Sequence, residues 1–406
     1  MSADNKVPEI RFEGFSGEWM ERSWSDTVDI STNMVDPRNC QYGELFHVGP
    51  GNIESFTGRF YNNVLKVKDS SLISGKFHFN KGDIIYGKIN PQLAKYVIAP
   101  FEGLASADAY VLNTQNGVVQ NYLFAILHTE DFYKYTVSVS SRTGMPKINR
   151  DELNIYSYMA PSESEQTQIG NYFQKLDALI NQHQQKHDKL SSIKKAMLEK
   201  MFPKPSETIP EIRFKGFSGE WEKKELGELA EIVRGASPRP IEDPKWFDSQ
   251  SSVGWLRIRD VTEQDGRIHY LEQRISKLGQ EKTRVLHEKH LLLSIAASVG
   301  KPVVNYVETG VHDGFLIFKK PLFELEFMYQ WLKSFETKWQ QFGQPGSQVN
   351  LNSDIVKNLI VTIPTNEEQT VIGNYFQKLD ALINQHQQQI AKLNNIKQAC
   401  LSKMFV

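Results

Sequence analysis

An α+β fold is predicted, with two strand-rich bodies that each leave through one long helix, joined in tandem by internal duplication. Three observations predict it. The stretch Ile169 to Gln185, IGNYFQKLDALINQHQQ, returns letter for letter at Ile372 to Gln388. The phrase PEIRFEGFSGEW at Pro8 to Trp19 returns as PEIRFKGFSGEW at Pro210 to Trp221, at an offset within one residue of that between the helices. Between these landmarks lie short apolar runs and alternating patterns with little sequence in common, which read as strands. Strands followed by helix place each unit in the α+β class, and repetition at so long an offset marks a duplicated module, not a solenoid.

In chain order, the first body occupies residues 1–160. It carries strand-like alternation at Lys76 to Asn80, an apolar strand at Gly82 to Gly87, a helical piece around Val119 to Lys134 and a polar, Gly-bearing loop at Ser141 to Asn149. A helix fills 161–203, opened by Pro161 and the acidic start PSESEQ, and 204–209 is a linker. The second body, 210–363, has a strand at Trp255 to Arg259, a turn at Asp265-Gly266 suited to a hairpin, a strand at Leu291 to Ser294, a helical piece around Glu324 to Phe342 and a polar loop at Gly343 to Asn352. A second helix, 364–406, opens with PTNEEQ at Pro364.

Ile169, Phe173, Leu176, Ile180, His183, His187 and Leu190 follow a 4-3-4-3 spacing, as do Ile372, Phe376, Leu379, Ile383, His386, Ile390 and Leu393. This is the heptad seam of a coiled coil, along which two such helices bury each other. At 1.5 Å per residue each helix would be roughly 50 Å long, a rod able to hold two bodies at a set distance. After Leu190 the spacing shifts to Ile193, Met197 and Met201, a change of phase expected to end regular knobs-into-holes packing. A buried hairpin requires the seam but not an identical exposed face. That identity fits recent duplication, or two copies of one partner meeting two equivalent surfaces. His183 and His187 stand four apart, but the second copy keeps His386 and has Ile390 at the other place. They read as polar seam positions that fix register, and no metal site is expected.

The chain has 406 residues and a net charge of -1, with an isoelectric point near 6.8, so no global field draws it to nucleic acid or membrane and any DNA-binding surface must be local or shared with a partner. No apolar run approaches a membrane span, and MSADNKVPEI lacks the pattern of a secretory leader. With Cys40 and Cys400 the only cysteines, neither a disulfide framework nor a cysteine metal site is expected, which fits a reducing cytoplasm.

The chain resembles the specificity subunit of type I restriction–modification systems over nearly its whole length. The resemblance is carried by the opening phrase at Pro8 and Pro210, the strand Lys81-Gly82-Asp83-Ile84-Ile85, the passages Ile148 to Leu153 and Leu351 to Val356, Pro161 and Pro364 with Gln166 and Gln369, and the pairs Leu176-Asp177 and Leu379-Asp380, in that order twice over. The Gly-Asp of the first body has no clear counterpart in the second, where Lys289-His290 precedes Leu291. The resemblance implies two α/β target recognition domains separated by two long antiparallel coiled-coil helices, with pseudo-two-fold internal duplication. Each domain would read one half of a bipartite double-stranded DNA target, the helices setting the gap. Two methyltransferase subunits would dock on the repeated helices and methylate adenine N6, and motor/nuclease subunits would join them. No cofactor is expected on this chain; S-adenosylmethionine, ATP and Mg would belong to the partners. No Asn-Pro-Pro-Tyr or Asp-Pro-Pro-Tyr segment is present for gripping a flipped base. Ser298-Val-Gly-Lys-Pro302 lacks the upstream Gly and following Ser or Thr of a nucleotide loop, and reads as a turn between strands.

Sequence readout needs donors and acceptors on an element that enters a groove, while phosphate contacts need Arg, Lys and small polar groups along the backbone. In the first body the candidates are Lys88, Asn90, Gln92 and Lys95 after the Gly82 strand, and Arg142, Thr143 and Lys147 ahead of the helix. In the second they are Arg234, Ser237 and Arg239 on a Gly/Pro-rich loop, Arg257 and Arg259 on one face of a strand with Asp260 on the other, Lys301, and Gln344, Ser347, Gln348 and Asn350. The competing class of function is a duplicated coiled-coil scaffold whose bodies bind proteins. It accounts for the rods but not for unlike bodies with Arg, Lys, Gln and Asn at loop positions.

Overall fold

The computed structural model describes residues 6–140, 144–296, 299–342 and 351–406. Two compact units form, Met1–Gln185 with Gln387–Val406 and Lys186–His386. The sequence division by bodies and helices follows the chain, whereas the compact units cut each long helix and give its two ends to different units. Each helix has 38 residues, Glu163–Lys200 and Asn366–Lys403.

In the first unit the frame is an antiparallel ladder of Met20–Ser23 against Ser157–Ala160. The matching ladder of the second unit is Glu222–Glu225 against Ile360–Ile363. Both frames are locked to the start of a long helix in the same way. Arg11 donates two hydrogen bonds to Glu165 at 2.7 Å each, and Arg213 does the same to Glu368, again at 2.7 Å each. Both carboxylates are buried, so each needs its guanidinium. Gln166 accepts from the Val119 amide and donates to the Pro161 carbonyl; Gln369 accepts from the Glu324 amide and donates to the Pro364 carbonyl. The two glutamines therefore tie each long helix to the start of the helix that crosses it, Gln120–Leu127 or Leu325–Phe335.

The bodies share a topology that their sequences conceal. The main sheet of the first runs Val28–Ile30, Ala109–Thr114, Ile84–Gly87, Tyr96–Ile98 in space. That of the second runs Glu231–Arg234, Phe315–Lys319, Leu291–Ser294, Pro302–Asn305 and adds Arg267–Ile268 at its edge. The central strands are wholly buried because alternate residues enter different cores. Ile84 and Tyr86 face one cluster and Ile85 another; Leu291 and Leu293 likewise oppose Leu292. A second sheet in each body repeats a parallel pair, Phe46–Val48 with Gly103–Ala105 and Gly254–Leu256 with Thr309–Val311.

Several elements differ from the sequence reading. The strand expected to Arg259 stops at Leu256, and Arg257 caps a helix over Ile258–Glu263. Asp265 and Gly266, at φ +46° and +77°, end that helix and make no hairpin, since Arg267–Ile268 runs parallel to Pro302–Asn305. The helical piece after Val119 is two helices, Gln120–Leu127 and Glu130–Ser140, and the one after Glu324 is an α-helix to Phe335 continued by a 3₁₀ turn over Glu336–Phe342. Residues 299–301 lie in the connection between antiparallel strands, where Gly300 has φ +83° and a Cβ would strike the Trp339 indole. Asp83 shapes a turn by accepting from the Asn80 amide at 2.8 Å. In the second body, which lacks that Gly-Asp, Asn305 of the neighbouring strand accepts from the His290 amide at 2.8 Å just ahead of the central strand.

The seam is divided in its burial. Ile169, Phe173 and Leu176 enter the core of the first body together with Leu401 and Met404, and Ile372, Phe376 and Leu379 enter that of the second with Met201 and Phe202. Leu190 and Leu393 pack at the edges of these two clusters. Ile390 is buried, and Ile180, His183, His187, Ile383 and His386 are half-buried. In the first unit the helices run antiparallel, with Lys397 Nζ 2.6 Å from Asp177. In the second, Lys194 Nζ lies 2.5 Å from Asp380, the same pair in the other copy of the repeat. Met197 still packs against the second core after the change of phase, in a cluster that holds body residues together with Ile372, Phe376 and Leu379 of the other long helix.

Candidate nucleic-acid interface

In the first body the two loops singled out from sequence lie side by side. Ile89 and Lys147 form a β-bridge, the Asn90 amide donates to the Pro146 carbonyl at 2.8 Å and the Ile148 amide to the Lys88 carbonyl at 3.0 Å. Asn90 takes the left-handed conformation, φ +51°, which Asn tolerates better than most side chains and which turns the chain into the Pro91–Leu93 turn. Lys88 Nζ sits 5.3 Å from the Tyr110 ring centre. Burial and the nearby Lys147 and Arg150 hold its ammonium below the usual lysine range, with Asp108 opposing them. Lys147 and Gln92 are exposed. Lys95 instead turns inward and donates to the Pro50 carbonyl at 2.6 Å, a structural contact. Arg142 and Thr143 lie outside the described residues.

Arg150 was not among the candidates. It opens the helix Arg150–Ile155 and donates to the Ile30 carbonyl at 2.9 Å, so it keeps its full charge beside Lys88. The signal was present as the cation directly after Asn149, a helix cap with Glu152 three residues on.

In the second body the loop after Glu231–Arg234 gathers around Asp313. The Asp313 carbonyl accepts from Arg234 Nε at 2.6 Å, and its carboxylate accepts from Ser237 at 2.8 Å and from Arg239 Nη2 at 2.6 Å. Burial works to raise the Asp313 pKa and is outweighed by the Ser237 hydrogen bond and the charges of Arg239, His312 and Arg234, which hold it below the usual carboxylate range. Arg284, also absent from the sequence candidates, donates from Nε to the Arg234 carbonyl at 2.7 Å. Three exposed guanidiniums are thus gathered on this loop, of which Arg239 alone meets the Asp313 carboxylate while Arg234 and Arg284 are held by backbone carbonyls.

Arg257 and Arg259 require a correction. They do not share a strand face free of acid. Arg257 donates to both oxygens of Asp260, at 3.1 and 2.9 Å, and to Glu272 at 3.1 Å, and Arg259 donates to Glu263 at 2.5 Å. The chain turns into helix at Arg257, which carries Asp260 back over its own cap instead of to an opposite face. Lys301 is half-buried where the strand Pro302–Asn305 begins, and its carbonyl accepts from the Ser294 amide. Gln344, Ser347, Gln348 and Asn350 lie outside the described residues.

The two cation groups occupy the same end of matching sheets. Lys88 directly follows the central strand Ile84–Gly87, and its amide donates to Asp108 in the turn between Gly103–Ala105 and Ala109–Thr114. In the second body Ile295 follows the central strand Leu291–Ser294 and its amide donates to Gly314 in the corresponding turn, which also holds Asp313. Different residues therefore supply positive charge at one equivalent place.

The family profile described as Type I restriction modification DNA specificity domain matches residues 17–192 and again 218–395. The chain belongs to the type I restriction–modification specificity family. The EcoDI specificity subunit of Escherichia coli is 33% identical over 153 residues, 37% of this chain and 33% of that protein, so the match spans about a third of that relative's length. The MjaVIII specificity subunit of Methanocaldococcus jannaschii is 22% identical over 370 residues, 85% of this chain and 78% of that one. Among solved structures, the S subunit of a type I restriction–modification system from M. genitalium has a TM-score of 0.67 at 13% identity, covering 98% of this chain and 99% of that chain. A chain from work on complex assembly and conformational transition of the type I R-M system has a TM-score of 0.51 at 17% identity, covering 95% and 97%. At these identities the likeness is one of fold. Among the described residues of this specificity subunit, no helix is long and apolar enough to cross a membrane.

Proposed function

We propose that this specificity subunit reads double-stranded DNA through its two bodies, each taking one half of a bipartite target, while the long helices set the gap and dock two adenine-N6 methyltransferase subunits. One observation carries the reading: an identical frame, locked by Arg11–Glu165 and Arg213–Glu368, presents unlike cation sets at the equivalent end of two matched sheets. The cations suit phosphate and guanine, to which Arg and Lys donate. The repeated helices leave Leu179 and Leu382 exposed to 45% and 44% at equivalent positions, as two copies of one partner would require. This chain contributes recognition alone. The methyl transfer and S-adenosylmethionine belong to the docked subunits, and ATP and Mg to motor/nuclease subunits.

With a net charge of -1 the isolated chain should bind DNA weakly, and the assembled complex should show the steeper salt dependence because more phosphates are neutralised. Labelled methyl transfer separates the alternatives. Sequence-specific methylation is expected only when this chain and the methyltransferase subunit are combined. Methyl transfer by this chain alone, or equal specificity without it, would overturn the reading.

A further inference from the structure

We infer that Asp313 is a positioning residue for base selection in the second half-site, holding Arg239 as the group that reads a guanine. The inference rests on the proposed DNA-reading role and adds which base pair is chosen and by what. Arg239 is 70% exposed at its side chain, yet one of its terminal nitrogens is held 2.6 Å from Asp313 Oδ2. The other carboxylate oxygen is engaged by Ser237, whose hydroxyl also receives the Asp313 amide at 3.2 Å. The carboxylate is thus fixed from two sides, and it fixes the guanidinium at one corner while the remaining donors face solvent. A guanidinium so anchored loses less entropy on donating to guanine O6 and N7 than a freely rotating one. The neighbouring Arg234 is spent on a backbone carbonyl, which suits a phosphate contact and not base readout.

The test uses the full chain assembled with its methyltransferase subunit and a library of targets randomised at one half-site at a time, read by methylation and sequencing. For Arg239→Ala, discrimination at a single G·C pair of the second half-site should fall about 10- to 100-fold, with the first half-site read as before. Asp313→Ala should relax the same pair, and Asp313→Asn, which keeps an acceptor oxygen, should restore part of the preference. Relaxation at that pair by Arg239→Ala but not by Asp313→Ala, or a uniform loss across all positions, would overturn the positioning role. Unchanged discrimination in Arg239→Ala, with both half-sites still required, would remove Arg239 while leaving DNA reading intact. A wild-type complex indifferent to either half-site would instead sink the proposed function itself. Thermal unfolding of each variant separates a folding failure from a change of choice.

Discussion

Arg150 and Arg257 each anchor a turn, but Arg150 donates to a carbonyl and Arg257 to carboxylates. The first keeps a net charge that a phosphate can use; the second is already neutralised. Arg150→Ala should therefore flatten the salt slope of the assembled complex by about one unit, the effect of one lost phosphate contact, in a titration of affinity against salt. Arg257→Ala should leave that slope unchanged and lower stability by about 1–3 kcal/mol in urea unfolding, because Asp260 is buried and would lose the hydrogen bonds from the guanidinium. Strand alternation continued from Leu256 to Arg259 runs three residues past the strand's end, although an acid three residues after the cap is a helix-start signal. The helix start at Asn149 marks Arg150 locally, but nothing local in sequence tells that Arg150 adjoins the Ile30 carbonyl or Arg284 the Arg234 carbonyl.

Elements repeat more faithfully than their surroundings. Gly170 and Gly373 occupy the same place in the two helix copies, where a crossing helix comes close. A Cβ at Gly170 would lie 2.7 Å from Asn121 Cβ and 2.8 Å from backbone atoms, whereas at Gly373 the nearest atom is 3.0 Å away. Gly170→Ala should cost about 1–3 kcal/mol by overpacking, despite alanine's better helix propensity of about 1 kcal/mol. Gly373→Ala should cost less, and comparison of the two unfolding midpoints checks the order. The helices, their starts and the duplication were legible because periodicity and repetition are local. The shared strand order of the bodies was not, because pairings such as Ile84 with Ile98 and Leu291 with Phe318 are long-range and leave no repeated letters. The Lys397–Asp177 and Lys194–Asp380 pairs were hidden likewise, each joining positions distant in sequence.

At the scale of the molecule, duplication preserved what must be the same twice and released what must differ. The frame locks, crossing glycines and exposed helix faces are repeated, while the cations at the sheet ends come from Lys88, Lys147 and Arg150 in one body and from Arg234, Arg239 and Arg284 in the other. Independent choice by the two bodies is the central claim, and exchange of one body tests it most directly. Residues 226–359 would be replaced by the corresponding stretch of another specificity subunit, and methylated sites sequenced from the assembled complex. The account predicts that one half of the target changes while the other half and the gap between them stay as before. Change in both halves together, or in neither, would contradict it.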